Sequence, residues 1–311
     1  MEKNETMNGI LNVYKDAGWT SFDVIAKLRG ILKTKKIGHG GTLDPSVTGV
    51  LPVAVGKATR LLEYMEAAGK VYKGEVTIGF STETEDADGE IICRTPVLTT
   101  LSVADIDKAM TTFVGKIQQV PPMYSAVKIN GKKLYEYARA GQTVERPARE
   151  VTIKSFERTS LPIFDENTQT LRFNFKVACS KGTYVRTLAV DLAEQLGYTG
   201  HMSKLQRTAS NGLLLEQSVT LDDIEKARDA GNLAELFYPA EYAVTDLPRL
   251  DLTDEQFVMV KVGKKFDENQ LTELSALTEN RFAAFYQDKL VAIYMKHPEK
   301  EGIWKPNKVL A

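Results

Sequence analysis

The sequence predicts a mixed α/β (α+β) fold with a small β-rich module at its C-terminal end, and three observations predict it. Apolar and polar residues alternate over residues 71–80, 151–157 and 170–178, the pattern of half-buried strands. Apolar residues recur at helical spacing over 21–32, 102–113 and 185–196. Near Leu247-Pro248 the composition shifts towards short strands, such as residues 282–286 and 290–294.

Taken in order, residues 10–14 (Ile-Leu-Asn-Val-Tyr) read as a short strand closed by an Asp16-Ala17-Gly18 turn. Ser21 is the expected N-cap of the next helix. That helix carries Val24, Ile25, Leu28, Ile31 and Leu32 on one face and cations opposite. A helix-strand run bearing Lys57, Arg60, Lys70 and Tyr72 leads into the strand at 71–80, and a polar loop at 83–90 turns at Asp88-Gly89. Ser102 caps the helix that follows. Residues 121–139 interleave Tyr124, Tyr135 and Tyr137 with Lys128, Lys132, Lys133 and Arg139. Such a mixture suits stacking on bases and neutralising phosphates, or else a hairpin and short helix whose tyrosines pack as core. The strands at 151–157 and 170–178 are joined through Asp165-Glu166-Asn167. The last large helix buries Val185, Leu188, Ala189, Leu192 and Leu196, and Gly197 ends it.

The 311 residues leave room for one large domain and a smaller one. At 43% hydrophobic and 26% charged residues the chain is globular in composition. No apolar run reaches the roughly 18 residues of a membrane span. Residues 1–6 lack the apolar core of a secretory signal. Two cysteines, Cys93 and Cys179, make no disulfide framework, as expected of a cytoplasmic protein. The 40 basic and 41 acidic residues nearly cancel, yet they are segregated. Lys27, Arg29, Lys33, Lys35 and Lys36 occur without an intervening acid, as do Arg172, Lys176, Lys181 and Arg186. Acids gather at 83–90, 222–225 and 251–255. This predicts a basic face for nucleic acid and a solvated acidic back.

The stretch from Gly38 to Pro52 (Gly-His-Gly-Gly-Thr-Leu-Asp-Pro-Ser-Val-Thr-Gly-Val-Leu-Pro) sets Asp44 between a glycine cluster and Pro45. Glycines let the backbone approach a ligand, and Pro45 fixes the chain just after the carboxylate. On residue types alone, Asp44 is either a turn cap or a reactive carboxylate. Gly56-Lys57 lacks the glycine and the Ser/Thr of a P-loop. Gly38-His39-Gly40 lacks the third glycine of a dinucleotide fingerprint. His39, His201 and His297 show no metal-ligand spacing.

These fifteen residues resemble, without a break, the signature of the TruB-type pseudouridine synthases, Gly-His-x-Gly-Thr-Leu-Asp-Pro-x-x-x-Gly-x-Leu-Pro, and the resemblance recurs in blocks along most of the chain. It implies a flexible extension at 1–6 and a catalytic domain over 7–245 with a largely antiparallel central sheet flanked by helices. It also implies an RNA-clamping insertion at 115–150 and an RNA-binding β module at 246–311. The implied reaction converts uridine to pseudouridine at position 55 in the T-loop of tRNA. That isomerisation has no redox change, so no cofactor and no metal are expected. The partner is tRNA, with no membrane, and the chain is expected to act as a monomer.

By the same resemblance Asp44 is the nucleophile, attacking either C6 of the base or C1′ of the ribose. Arg186, in the Tyr184-Val185-Arg186 block, pairs with it. At about 4 Å and an effective dielectric near 20 such a pair gains roughly 4 kcal/mol, against the desolvation of a buried carboxylate. Tyr72 stacks on the target uracil, and His39 is the wedge that fills the space of the flipped base. Tyr184 and Leu205 line the base pocket. Unaided by the resemblance, Tyr72 and Leu205 would read as packing residues. Lys181, Lys204 and Arg207 are phosphate candidates. Two departures stand out: the family's proline is missing at Asp16-Ala17, and after Arg207-Thr208 the glycine comes one place late without Pro-Phe. A non-catalytic RNA-binding protein is the first rival reading. A glycoside-type hydrolase is the second, and it would need another carboxylate as its acid.

Overall fold

The structure is a computed structural model describing residues 8–269, 274, 277 and 279–310. The expected extension at 1–6 lies outside the described residues. Strand β1 (Gly9–Lys15) leads into helix α1 (Ser21–Leu32), strand β2 (Ile37–His39), strand β3 (Thr48–Val55), helix α2 (Leu62–Ala67) and strand β4 (Lys70–Ile78). Thr20, not Ser21, caps α1. Its hydroxyl accepts from the Asp23 backbone N–H, while the Asp23 carboxylate accepts from the Thr20 N–H, a reciprocal box. Ser21 turns inward instead, accepting from Leu43 N–H at 2.9 Å and donating to Leu43 O at 3.2 Å. The residue read as a cap is therefore a tie between α1 and the Asp44 loop.

Eleven strands form the main sheet. Its path runs from Phe237–Tyr238 through β1, β3, Gly200–Ser210, β4, Thr170–Cys179 and Arg149–Arg158 to Gly115–Gln119. Every neighbouring pair along this path is antiparallel except β3 with Gly200–Ser210. The alternation seen in the sequence decides the two faces. Phe173, Phe175 and Val177 are buried, while Arg172, Asn174 and Lys176 between them are exposed. Helices α1, Val103–Thr111 and Val185–Gln195 supply Val24, Leu28, Ile106, Leu188 and Leu192 to the same core. Ser102 caps the second of these helices, as expected, and Gly197 follows the third with φ +85°.

A second, five-stranded sheet lies within residues 249–309 and includes Arg281–Tyr286 and Lys289–Lys296, the two short strands expected there. Phe282 stacks on Tyr294 and meets Trp304 edge-on at its centre. Ala283, Phe285 and Ile293 from this module join Ile10, Val50, Tyr64 and Met65 in one buried cluster, which packs the module against the back of β1 to α2. Among the described residues no helix is long and apolar enough to cross a membrane.

The parallel contact is the tightest point in the sheet. Gly49 opposes Arg207 with φ +107°, and a Cβ there would sit 2.2 Å from the Arg207 carbonyl oxygen. Both the backbone region and the space require glycine. Gly49→Ala is expected to destabilise the protein by about 3 kcal/mol or more, read as a lowered midpoint in urea denaturation. A change within about 0.5 kcal/mol would show that this contact relaxes freely.

Candidate active site

Asp44 lies in the loop between β2 and β3, and that loop is tied down on every side. Ser21 holds Leu43 as described. Pro45 O accepts from Gly18 N–H at 2.9 Å and from the Lys15 ammonium at 3.1 Å. Val47 N–H closes a turn onto Asp44 O at 3.1 Å, and Gly40 N–H bonds Pro52 O at 2.8 Å. Lys15 is fully buried, and its Nζ also donates to Asp16 O and Trp19 O. Burial pulls its pKa down to about 8, with the nearby Asp44 charge the strongest opposing influence.

Arg186 sits in the first turn of helix Val185–Gln195, a place where the helix dipole disfavours a cation. Its partners explain why it stays there. Nε lies 3.1 Å from Asp44 Oδ2, Nη1 donates to Thr84 O at 2.8 Å, and Nη2 donates to Tyr124 O at 2.9 Å. Asp86 Oδ2 is 3.7 Å from Nη1. Arg186 is 5% exposed, and its guanidinium reaches three separate chain segments. Burial pushes the Asp44 pKa above the ordinary value of 3.8, and Arg186 is the largest influence holding it down. Desolvation wins, so Asp44 is a more basic carboxylate than a surface aspartate. Its side chain remains 42% exposed, and it lines the cleft.

The cleft has a volume of about 630 Å³, within the range of roughly 300–1,000 Å³ typical of ligand pockets. Its lining brings together Asp44, Tyr72, Arg186, Tyr184, Leu205, Lys181 and Arg207, seven of the candidate site residues read from the sequence. Tyr72, on β4, is 8% exposed, and burial pushes its phenol up, with Arg207 acting against the rise. Tyr184 is fixed through its backbone, its N–H donating to Gln119 Oε1 at 2.7 Å and its O accepting from Gln119 Nε2 at 3.0 Å. Lys181 is exposed at the rim. Lys204 lies outside the cleft lining, its ammonium 3.4 Å from Glu75.

Arg207 requires a correction. The expected surface phosphate ligand is fully buried. Its Nε donates to Val50 O at 2.6 Å and its Nη2 to Gly41 O at 3.1 Å, and it stands opposite Tyr72 in the sheet. Arg207 braces the signature loop through these two carbonyls while also lining the cleft, and its Nη1 is buried without a hydrogen-bond partner among the described residues. His39, on β2, is half-buried and is not among the residues lining the cleft. Its Nδ1 is buried without a hydrogen-bond partner among the described residues, and burial lowers its pKa below 6.5. It is neutral at neutral pH.

The acidic loop at 83–90 also differs from expectation. Asp86 is 6% exposed and faces Arg186, while Glu85 accepts from Thr187 Oγ1 at 2.7 Å. The loop backs Arg186 through Thr84 O and Asp86, while Glu83, Asp88 and Glu90 stay exposed, because only the fold shows which acids a buried cation has drawn inward. Lys27, in turn, reaches Glu225 at 3.3 Å and is partly removed from the basic stripe. The segment at 121–139 forms a small hairpin, Lys128–Ile129 with Lys132–Lys133, followed by helix Leu134–Arg139. Leu134 is the only residue of that helix that is buried. Tyr135 and Tyr137 are half-exposed under Lys133 and Lys132. The tyrosines are therefore not core.

A family model described as TruB family pseudouridylate synthase (N terminal domain) matches residues 29–185, and one described as tRNA pseudouridylate synthase B C-terminal domain matches 186–245. The chain belongs to the TruB family of pseudouridylate synthases. It is similar to tRNA pseudouridine synthase B of Lactococcus lactis subsp. lactis, at 71% identity over 99% of each chain. The corresponding protein of Streptococcus mutans serotype c is 56% identical over 97% of this chain and 99% of its own. Among solved structures, a Cbf5-Nop10-Gar1 complex contains a chain of the same fold, with a TM-score of 0.72 at 27% identity. That match covers 97% of this chain and 84% of the other. The TruB-family chain is an enzyme that isomerises uridine to pseudouridine in tRNA.

The raised pKa of Asp44 sets a pH dependence. For a nucleophilic Asp44, the role the family resemblance implies, only the ionised form would react, and activity is expected to fall as pH drops through the folded-state pKa. The acid limb of the single-turnover rate is expected above 3.8, the ordinary aspartate value, because burial outweighs Arg186. A limb at or below that value would mean that the arginine dominates.

Proposed function

We propose that the enzyme acts on uridine 55 in the T-loop of tRNA, flipping it into the cleft for covalent attack by Asp44. The observation that carries this reading is the 3.1 Å contact between Asp44 and Arg186 inside a nucleoside-sized cleft that also presents Tyr72. A buried aspartate needs a cation to stay ionised once a base excludes water, and Arg186 is held for that by two carbonyls. Tyr72 stacks on the flipped uracil, with its hydroxyl at hand for the C5 proton, while Tyr184 and Leu205 complete the base pocket. Neutral His39 fills the space the uridine leaves, at a flipping cost of a few kcal/mol.

The chain divides functionally into a catalytic domain at 7–245, its RNA-clamping insertion at 115–150, and an RNA-binding module at 246–311. The half-exposed tyrosines under lysines in the insertion support the clamp. Lys181 at the rim suits a phosphate. The enzyme works as a cytoplasmic monomer, and the reaction requires no cofactor.

The test is single-turnover release of tritium from tRNA labelled at C5 of uridine 55. The native enzyme should release the label and form pseudouridine there. Asp44→Asn should bind tRNA within a few-fold of the native affinity and release none. Tyr72→Phe should bind but not turn over. His39→Ala should slow a folded T-loop more than an unstructured RNA carrying the same uridine. Turnover by Asp44→Asn would end the proposal, and equal slowing on both RNAs would return His39 to a packing role.

A further inference from the structure

Ser125 is 6% exposed, and its Oγ has no hydrogen-bond partner among the described residues. A buried hydroxyl left unpaired costs free energy, on the order of 1–3 kcal/mol, and native proteins seldom leave one without a reason. Nothing around Ser125 is loose enough to make the orphan accidental. Its carbonyl accepts from Tyr135 N–H at 3.1 Å, and Val127 O, two residues on, accepts from Leu134 N–H at 2.8 Å. One residue before it, the Tyr124 carbonyl holds Arg186 at 2.9 Å. The backbone is thus fixed on both sides, and Ser125 is among the residues lining the cleft that contains Asp44 and Tyr72.

We infer that Ser125 is a substrate-contacting residue whose hydroxyl hydrogen-bonds a polar atom of the flipped target nucleotide. The inference rests on the reading that the target uridine enters this cleft. A serine hydroxyl both donates and accepts. A flipped uridine offers carbonyl oxygens and an N–H on its base edge and a 2′-hydroxyl on its ribose. With the nucleotide in the cleft, that orphan hydroxyl gains the partner the protein withholds. The segment carrying Tyr124 and Ser125 then serves two ends of one site, bracing Arg186 with a carbonyl and meeting the substrate with the next side chain.

The test compares binding of two tRNAs, one with uridine at position 55 and one with an abasic tetrahydrofuran residue there. Full-length protein is used, in the Asp44→Asn background so that turnover does not intervene, with and without Ser125→Ala. Turnover by the native enzyme on the uridine tRNA is read first, and its absence would defeat the proposed function independently of Ser125. Loss of one hydrogen bond should weaken binding of the uridine tRNA by about two- to ten-fold. Binding of the abasic tRNA should be unchanged. Equal affinities with and without the hydroxyl, or the same loss on both RNAs, would overturn the inference. Melting provides the second check. Ser125→Ala should melt at or above the parent temperature, since it removes an unpaired buried group, whereas a clear drop would place the partner of the hydroxyl inside the protein and overturn the contact. A third tRNA with 2′-deoxyuridine at the site separates the two sources. Persistence of the loss assigns the contact to the uracil edge, and its disappearance assigns it to the ribose hydroxyl.

Discussion

The contact between Asp44 and Arg186 is the constraint on which the rest of the molecule depends. Neither group is at ease where it stands. The aspartate sits in surroundings that favour its neutral form, and the arginine is nearly buried at the wrong end of a helix. An isolated buried charge of either sign would be costly, and a single Coulombic contact of about 4 kcal/mol does not alone cover two desolvations. The added hydrogen bonds make the difference. Thr84 and Tyr124 supply carbonyls to the guanidinium, and Asp86 adds a second negative charge. The cation is satisfied without drawing all its compensation from Asp44, which keeps that carboxylate open to the cleft.

This arrangement explains why distant parts of the sequence converge there. Asp44 comes from the loop ahead of β3, Thr84 and Asp86 from the acidic loop, Tyr124 from the segment ahead of the hairpin at 128–133 and Arg186 from a helix start. Each segment is fastened to its neighbours before any RNA arrives. Lys15 and Ser21 pin the Asp44 loop, Gln119 pins the start of the helix, and Arg207 braces Gly41 and Val50. Such preorganisation is what electrostatic catalysis requires, since groups already aimed need not reorganise during the reaction.

The sequence made the frame and the candidate site residues legible for different reasons. Alternation gave the long strands, and helical spacing gave the apolar faces of α1 and of Val185–Gln195, because those patterns are set by burial on one side. Asp44, Tyr72 and Arg186 were visible only through their resemblance to a family signature. What stayed hidden were the supports. Asp86 looked like one member of a solvated acidic run, and Lys15 drew no notice. Ser21 passed for a helix cap, although Thr20 does that work. Arg207 passed for a phosphate ligand, because an arginine that donates to main-chain carbonyls has the same one-dimensional appearance as one facing solvent. Local pattern reports which face of an element is buried. It does not report which carbonyl from far along the chain will meet a buried cation.

The central claim is that Arg186 keeps a desolvated Asp44 ionised. The most direct test is the titration of the Asp44 carboxyl carbon by NMR in the native protein and in Arg186→Gln, without RNA. In the native protein the midpoint should lie above the ordinary aspartate value of 3.8. With the charge of Arg186 removed it should move higher still, since burial would then act with much less opposition. A midpoint that is unchanged or lower in Arg186→Gln would contradict the account and leave the ionisation of Asp44 to its other neighbours.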